Sequence, residues 1–285
     1  MQLLHSATRN YSWGSRTLIP HLQGQPDADK PVAELWFGAH PGDPSTVDGR
    51  LLNEVIAEDP AGQLGSRVSA EYGERLPFLL KVLAAEEPLS LQAHPSKTQA
   101  EEGFARENAA GIELTASNRN YKDDNHKPEL IVALTDFYAM AGFRPLARTR
   151  ELFAALECPE LDHYVAMLDD DPSATTESAN LRVLFTTWIT IPAAKRKELI
   201  SAIVAAGERL IAADPADWKS RVMSTVLDLN QRYPGDIGVL GALLLNHIEL
   251  SPGEAVYLDA GQLHAYVSGL GVEIMACLLY TSPSP

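Results

Sequence analysis

The chain has 285 residues, of which 45% are hydrophobic and 21% charged, the balance of an ordinary soluble globular protein long enough for more than one compact unit. Its formal net charge of −15 argues against non-specific binding to nucleic acid or an anionic membrane, which need clustered Lys and Arg, but leaves room for a small anionic substrate at a local basic cluster. Two cysteines, Cys158 and Cys277, are too few for a disulfide framework, no window approaches the ~18 apolar residues of a spanning helix, and no signal-peptide pattern opens the chain, so a cytoplasmic protein is expected.

The first stretch, to about residue 145, is rich in strand and turn signals. The run PVAELWFGAHPGDPS (Pro31 to Ser45) is apolar and aromatic and ends in a Pro/Gly/Asp turn. The segment ERLPFLLKVLAAEEPLSLQAHP reads as two strands around Glu86-Glu87-Pro88, and TQAEEGFARENAA (Thr98 to Ala110) as a short helix. Strand signals return in KPELIVALTDFYAMAGFRP, where Glu129, Ile131 and Ala133 share one face; apolar residues on both faces predict a strand covered on both sides. From Pro145 to about Asn246 the apolar spacing turns helical, predicting four to six helices with a loop at Asp169–Ser178. The last stretch, PGEAVYLDAGQLHAYVSGLGVEIMA, reads as three short strands joined by turns at AGQ and GLG. Strands, then helices, then strands predict a mainly β protein with an α insertion, the β part a jelly-roll or barrel.

Gln92 and His94, two apart on a predicted strand, point to one face. They are either satisfied polar residues at a sheet edge or half of a metal site. With Glu129 and His264 they make two nitrogens and two oxygens, a set that suits a borderline divalent ion, zinc first, and not an all-oxygen calcium or magnesium site. Spacing alone leaves both readings open. His5, His21, His163 and His247 carry no such pattern.

The ordered series NYSWGS, AELWFGAHPGDPS, PFLLKVLAAEEPLSLQAHPSK, YKDDNHKPELIVAL, GFRP and YLDAGQLHAYVSGLGVEIMA resembles the type I mannose-6-phosphate isomerases (phosphomannose isomerases), zinc-dependent members of the cupin superfamily. The resemblance runs from Tyr11 to Ala276 and implies a cupin-type jelly-roll β-barrel with an inserted helical domain. It implies one Zn2+ per chain on Gln92, His94, Glu129 and His264. The activity implied is interconversion of mannose 6-phosphate and fructose 6-phosphate through an enediol(ate), which serves carbohydrate metabolism and GDP-mannose biosynthesis and needs a base, a proton shuttle and positive charge near the oxyanion. Lys127 and Glu273 are the candidates for proton transfer, with Tyr266 as a hydrogen-bonding orienter; Lys127 is expected in the same cavity as Glu129. Ser96 and Lys97 are candidates for the phosphate, where a helix start also favours anions, and Trp13 and Glu34 are placed near the sugar. The partner expected is a small sugar phosphate, with no nucleic acid, no membrane and a monomeric chain.

The expected domains are 1–145 and 247–276, the two parts of a catalytic cupin domain, around a helical domain at 146–246. The tail CLLYTSPSP, 277–285, departs from the resemblance, which would continue through a turn to an arginine near the sugar and a C-terminal cupin domain. It coincides with one reading frame of a sequencing-library adapter, so it is expected to be non-native, with later strands missing, sheet edges exposed and activity impaired. A catalytically impaired zinc cupin that binds sugar phosphate as a sensor or structural module is the alternative function; an iron-dependent oxygenase would leave Gln92 unexplained.

Overall fold

The segment FLLKVLAA, Phe78–Ala85, holds one charged residue in an otherwise apolar run and forms a strand whose alternate residues Leu79, Lys81 and Leu83 are buried. In the computed structural model, which describes residues 2–116, 118–168 and 174–276 without the side chains of 174–178, this strand lies inside an eight-stranded sheet. The sheet runs Ala255–Leu258, Glu129–Ala133, His264–Ala276, Phe78–Ala85, Glu34–Phe37, Ala7–Arg9, each neighbour antiparallel to the next. Phe137–Phe143 and Leu245–Leu250 pair with each other and lead the chain out to a second compact unit, Met140–His247, and back.

Register sorts the side chains. Trp36 lies opposite Lys81, Lys81 opposite Glu273, and Glu273 opposite Ile131. These residues, with Glu34, Leu83 and Glu129, therefore share one face, because side chains repeat with a period of two along a strand. The other face carries Leu35, Ala84 and Leu270, closed by Ile19. Both faces are buried, as the two-sided apolar runs predict.

Two expected strand breaks differ from the structure. The GLG sequence is no turn: His264–Ala276 is one 13-residue strand. Gly269 keeps the chain extended at φ 123°, and a Cβ there would lie 2.7 Å from the Asp136 carbonyl oxygen. At Gly271 a Cβ would meet the Ile131 side chain at 2.9 Å. These glycines admit close backbone approach rather than reversing the chain. The second strand expected around Gln92 is reduced to a single bridge with His264. Pro88 and Pro95, which have no N–H, bracket it and cannot extend a ladder.

The helical unit contains six described helices: Leu146–Leu156, Pro159–Val165, Ala174–Thr190, Ala193–Ala213, Trp218–Arg232 and Ile237–Ala242. The loop expected at Asp169–Ser178 is helical from Ala174, and its first five residues lie outside the described ones, as does the tail from Cys277. The helices bury Leu152, Leu156, Leu184, Trp188, Ile200, Met223 and Val226. Asp217 and Asp236 cap the last two, accepting from the backbone N–H of Lys219 (2.7 Å) and Gly238 (2.6 Å).

Replacing Gly269 by Ala forces both an unfavourable φ and a backbone clash, and denaturant unfolding is expected to show a loss of ~1–3 kcal/mol. In the helical unit, burial pushes His247 down from 6.5 to about 4. The folded pKa is below the unfolded one, so its contribution is complete above 6.5 and is lost as pH falls toward 4, where the unfolded chain binds the extra proton. His247→Gln should therefore lose less stability than the parent between about pH 7.5 and about pH 5 in matched denaturant titrations.

Candidate metal centre

The bridge at Gln92 fixes the first two candidate ligands. Gln92 N–H donates to the His264 carbonyl and His264 N–H to the Gln92 carbonyl, both at 2.8 Å. This holds the QAH segment against the start of the His264–Ala276 strand. Glu129, the first residue of its own strand, points into the same interior. The result is a cluster in which one ligand atom from each of His94, Glu129 and His264 lies within 4.8 Å of the others.

Glu129 sits between the imidazoles. His264 Nε2 is 3.1 Å from Glu129 Oε2, and His94 Nε2 is 2.9 Å from Oε1. Burial alone would raise the Glu129 carboxyl, but the neighbouring imidazoles of His264 and His94 outweigh it and hold it well below the usual carboxylate range. Burial lowers His264; the bond to and charge of Glu129 outweigh this and raise it. Its Nδ1 faces the Gln262 carbonyl at 2.9 Å, a pure acceptor, so Nδ1 carries the proton and Nε2 is the nitrogen left to bind an ion. His94 Nε2 is buried and, although near Glu129, is not aligned for a hydrogen bond.

A second group of buried charges lies beyond the triad. Tyr266 hydroxyl donates to Glu273 Oε1 (2.9 Å), Lys81 Nζ is 2.8 Å from Glu273 Oε2 and 3.5 Å from Glu34 Oε1, and Trp36 Nε1 donates to Glu34 Oε2 (2.8 Å). Burial raises the Glu273 carboxyl against the opposing charge of Lys81. Burial pushes Lys81 down, but Glu273, Glu34 and Glu129 together hold it well above an ordinary lysine. Burial, then the charges of Glu273 and Glu129, raises the Tyr266 hydroxyl.

These residues line an inner cavity of about 50 Å³ with Trp13, Gln92 and Glu129. Trp13 Nε1 is buried there without a hydrogen-bond partner. His94 and Lys127 line an outer cleft of about 620 Å³. Lys127 thus does not share the Glu129 cavity as expected: its Nζ turns to Asp123 Oδ2 at 2.8 Å, because Pro128 lies between a loop lysine and the first strand residue. Of the triad, His94 thus lines the outer cleft and Glu129 the inner cavity. Ser96 opens the Lys97–Ala109 helix, its hydroxyl accepting from Gln99 N–H and its N–H donating to Gln99 Oε1. Lys97 reaches the Asp124 carbonyl, Asn125 Oδ1 and Glu101.

The donor set fits a divalent cation. Two imidazole nitrogens and a carboxylate are a borderline-metal set, and the unaligned Nε2 of His94 is a ligand atom lacking a protein partner. The three carboxylates of Glu34, Glu129 and Glu273 share one ammonium, Lys81; a divalent ion beside Glu129 cancels the remaining charge. Sequence reasoning missed Lys81. Its signal was a lone charge inside FLLKVLAA, since a buried lysine needs a partner.

Residues 1–146 match the family described as phosphomannose isomerase type I, catalytic domain. The chain is 39% identical to the mannose-6-phosphate isomerase of Escherichia coli, over 97% of this chain and 68% of that protein, and 35% identical to the human one, over 96% and 66%. The structure of a mannose 6-phosphate isomerase from Salmonella typhimurium bound to substrate (f6p) and zinc aligns with a TM-score of 0.84 at 37% identity, over 97% of this chain and 68% of that one. The antiparallel sheet with its helical unit is the cupin-type β fold with an α insertion, and the chain belongs to the type I phosphomannose isomerase family.

Proposed function

We propose that this protein is a zinc-dependent aldose–ketose isomerase that interconverts D-mannose 6-phosphate and D-fructose 6-phosphate. One observation carries the reading: a His94–Glu129–His264 triad in which His94 lines an outer cleft and Glu129 lines an inner cavity with a buried chain of acid and base groups. His94, Glu129 and His264 hold the ion, and Gln92, which lines the inner cavity, is the fourth ligand. The ion supplies positive charge next to the sugar oxygens as negative charge develops there.

The chain's own groups do the rest. The reaction takes a proton from C2 of the aldose, forms a C1–C2 enediol(ate), and returns a proton to C1 while a hydroxyl proton moves from O2 to O1. Glu273 and Lys127 are the proton-transfer candidates. Glu273 has a carboxyl raised toward neutrality by burial, which brings a carboxylate base nearer the range useful for proton transfer. The Tyr266 hydroxyl donates to one of its oxygens and the Lys81 ammonium is paired with the other, which fixes its direction. Lys127 faces the outer cleft, held by Asp123. Trp13 Nε1–H is a free donor for a sugar hydroxyl, and Glu34 orients Lys81. Ser96 and Lys97 take the phosphate at the start of their helix, Lys97 exchanging its contacts with Asp124 and Glu101 for the anion.

No described helix is long and apolar enough to cross a membrane. We place the protein in the cytoplasm as a monomer with a small sugar phosphate as its partner. The net charge of −15 supports the absence of a nucleic-acid partner. We also propose the domain limits 1–145 with 247–276 for the catalytic part and 146–246 for the helical part.

The direct test is a coupled isomerase assay on mannose 6-phosphate, before and after chelation and after zinc is returned. Turnover that falls on chelation and recovers with zinc is expected; sugar-phosphate binding without turnover would instead favour a sensor or structural cupin. Glu129→Gln should lower zinc affinity by more than the ~10–100-fold typical of outer-shell changes, read by elemental analysis after dialysis. Glu273→Gln should keep its zinc and lose ~10²–10⁴-fold in kcat, the range of a general acid–base group. Lys81→Met leaves Glu273 without its cation, so kcat should fall together with a shift in its pH profile while zinc content stays unchanged.

A further inference from the structure

The motif GFRP contains Arg144, which no step of the isomerase reading uses. Arg144 is 5% exposed and belongs to the helical unit. Its Nη1 and Nη2 donate to the carbonyls of Leu243 (2.9 Å) and Leu245 (2.6 Å). Those oxygens take two of its N–H groups and leave its charge unpaired. Burial, and then the charge of Arg148, pull it down to about 10. Among the described residues no carboxylate comes within ion-pairing distance of Arg144, Arg148 or Arg221.

These three arginines meet at one wall. The Arg148 guanidinium lies 4.0 Å from the centroid of the Trp218 ring and that of Arg144 5.4 Å from it. Arg221, one helical turn on from Trp218, donates to the Ala216 carbonyl. With His247 they line a cleft of about 350 Å³. The nearby acids are already engaged: Glu151 reaches Trp218 Nε1 at 3.4 Å and Lys219 Nζ at 3.3 Å, and Asp217 pairs with Lys219 at 3.0 Å. His247, neutral at ordinary pH, adds no negative charge. In a chain of net charge −15, three arginines with no carboxylate among the described residues in ion-pairing distance, one of them buried, are a local exception, although the charge of Arg221 is felt by Asp217. Burying an unpaired guanidinium is costly, and an indole face recovers only part of that cost.

We propose that the cleft of Arg144, Arg148, Arg221 and Trp218 is a second anion site, which binds a small phosphate ester or diphosphate on the helical unit. Guanidinium forks match phosphate oxygens bidentately, and a dianion supplies the charge that the three arginines lack. The proposal is independent of the isomerase reading, because none of these residues takes part in the metal centre or the acid–base chain.

The test is isothermal titration of the full chain with inorganic phosphate, pyrophosphate, fructose 6-phosphate and a nucleoside diphosphate, each with the Trp218 emission followed in parallel. Both are repeated on Arg148→Ser/Arg221→Ser, whose replaced side chains are exposed and tolerate removal, and the emission on Trp218→Phe. Saturable binding of at least one probe is expected, weakened roughly tenfold for each arginine removed, as charge-assisted bonds predict, with an emission change that disappears in Trp218→Phe. The tightest probe identifies the source of the phosphate. Binding that the double variant leaves unchanged, or no saturable binding of any probe, overturns the proposal. Glu129→Gln serves as the control for the metal centre: a binding event it abolishes belongs to that centre and counts against the second site.

Discussion

The structure depends on keeping several charges out of water at once. Glu34, Glu129 and Glu273 converge in the interior of one sheet, and a single ammonium, that of Lys81, stands among them. Taking a charge out of water costs several kcal/mol unless it is paired and hydrogen-bonded. The pairing here is shared, so each group's state depends on the others: Lys81 is held cationic by carboxylates, Glu273 is pressed toward neutrality, and Glu129 is held anionic by two imidazoles. Such a set is too expensive to be mere packing. Its geometry is maintained by the apolar residues of the opposite face, Ile19, Leu35, Ala84 and Leu270, which fix the strands that present it.

Division of labour follows from the same arrangement. His94 lines the larger outer cleft of about 620 Å³, and Glu129 the inner cavity. The Tyr266–Glu273–Lys81–Glu34 chain lines the smaller inner cavity of about 50 Å³. Charge stabilisation and proton handling thus fall to different groups, and among the buried ones electrostatic interactions are stronger and the pKa shifts larger.

Much of this was legible in the sequence, and for identifiable reasons. The alternation of Glu129, Ile131 and Ala133 placed Glu129 inward, and the apolar spacing after Pro145 announced the helices. The triad itself rests on residues more than 100 positions apart; only the resemblance of whole motifs brought His94 and His264 together. Lys81 escaped because an apolar run absorbs a single charge without changing its period. The cavity expected to hold both Lys127 and Glu129 failed because a period-two argument was carried across a proline and past the end of a strand. The GLG segment was misread because glycine signals a turn and a close approach with the same letter. Only the neighbouring strands distinguish the two.

Gly269 has one further consequence. His264 and Tyr266 occupy even positions and Glu273 an odd one, yet Tyr266 and Glu273 bond to each other across seven residues of one strand. The departure from regular pleating at φ 123° lets residues of opposite parity look into the same interior. A metal ligand and the carboxylate behind it therefore ride on a single continuous segment. A slip of one residue along this strand would turn both away from the cavity, so a single-residue insertion between Tyr266 and Glu273 is opposed by register before any chemistry is considered.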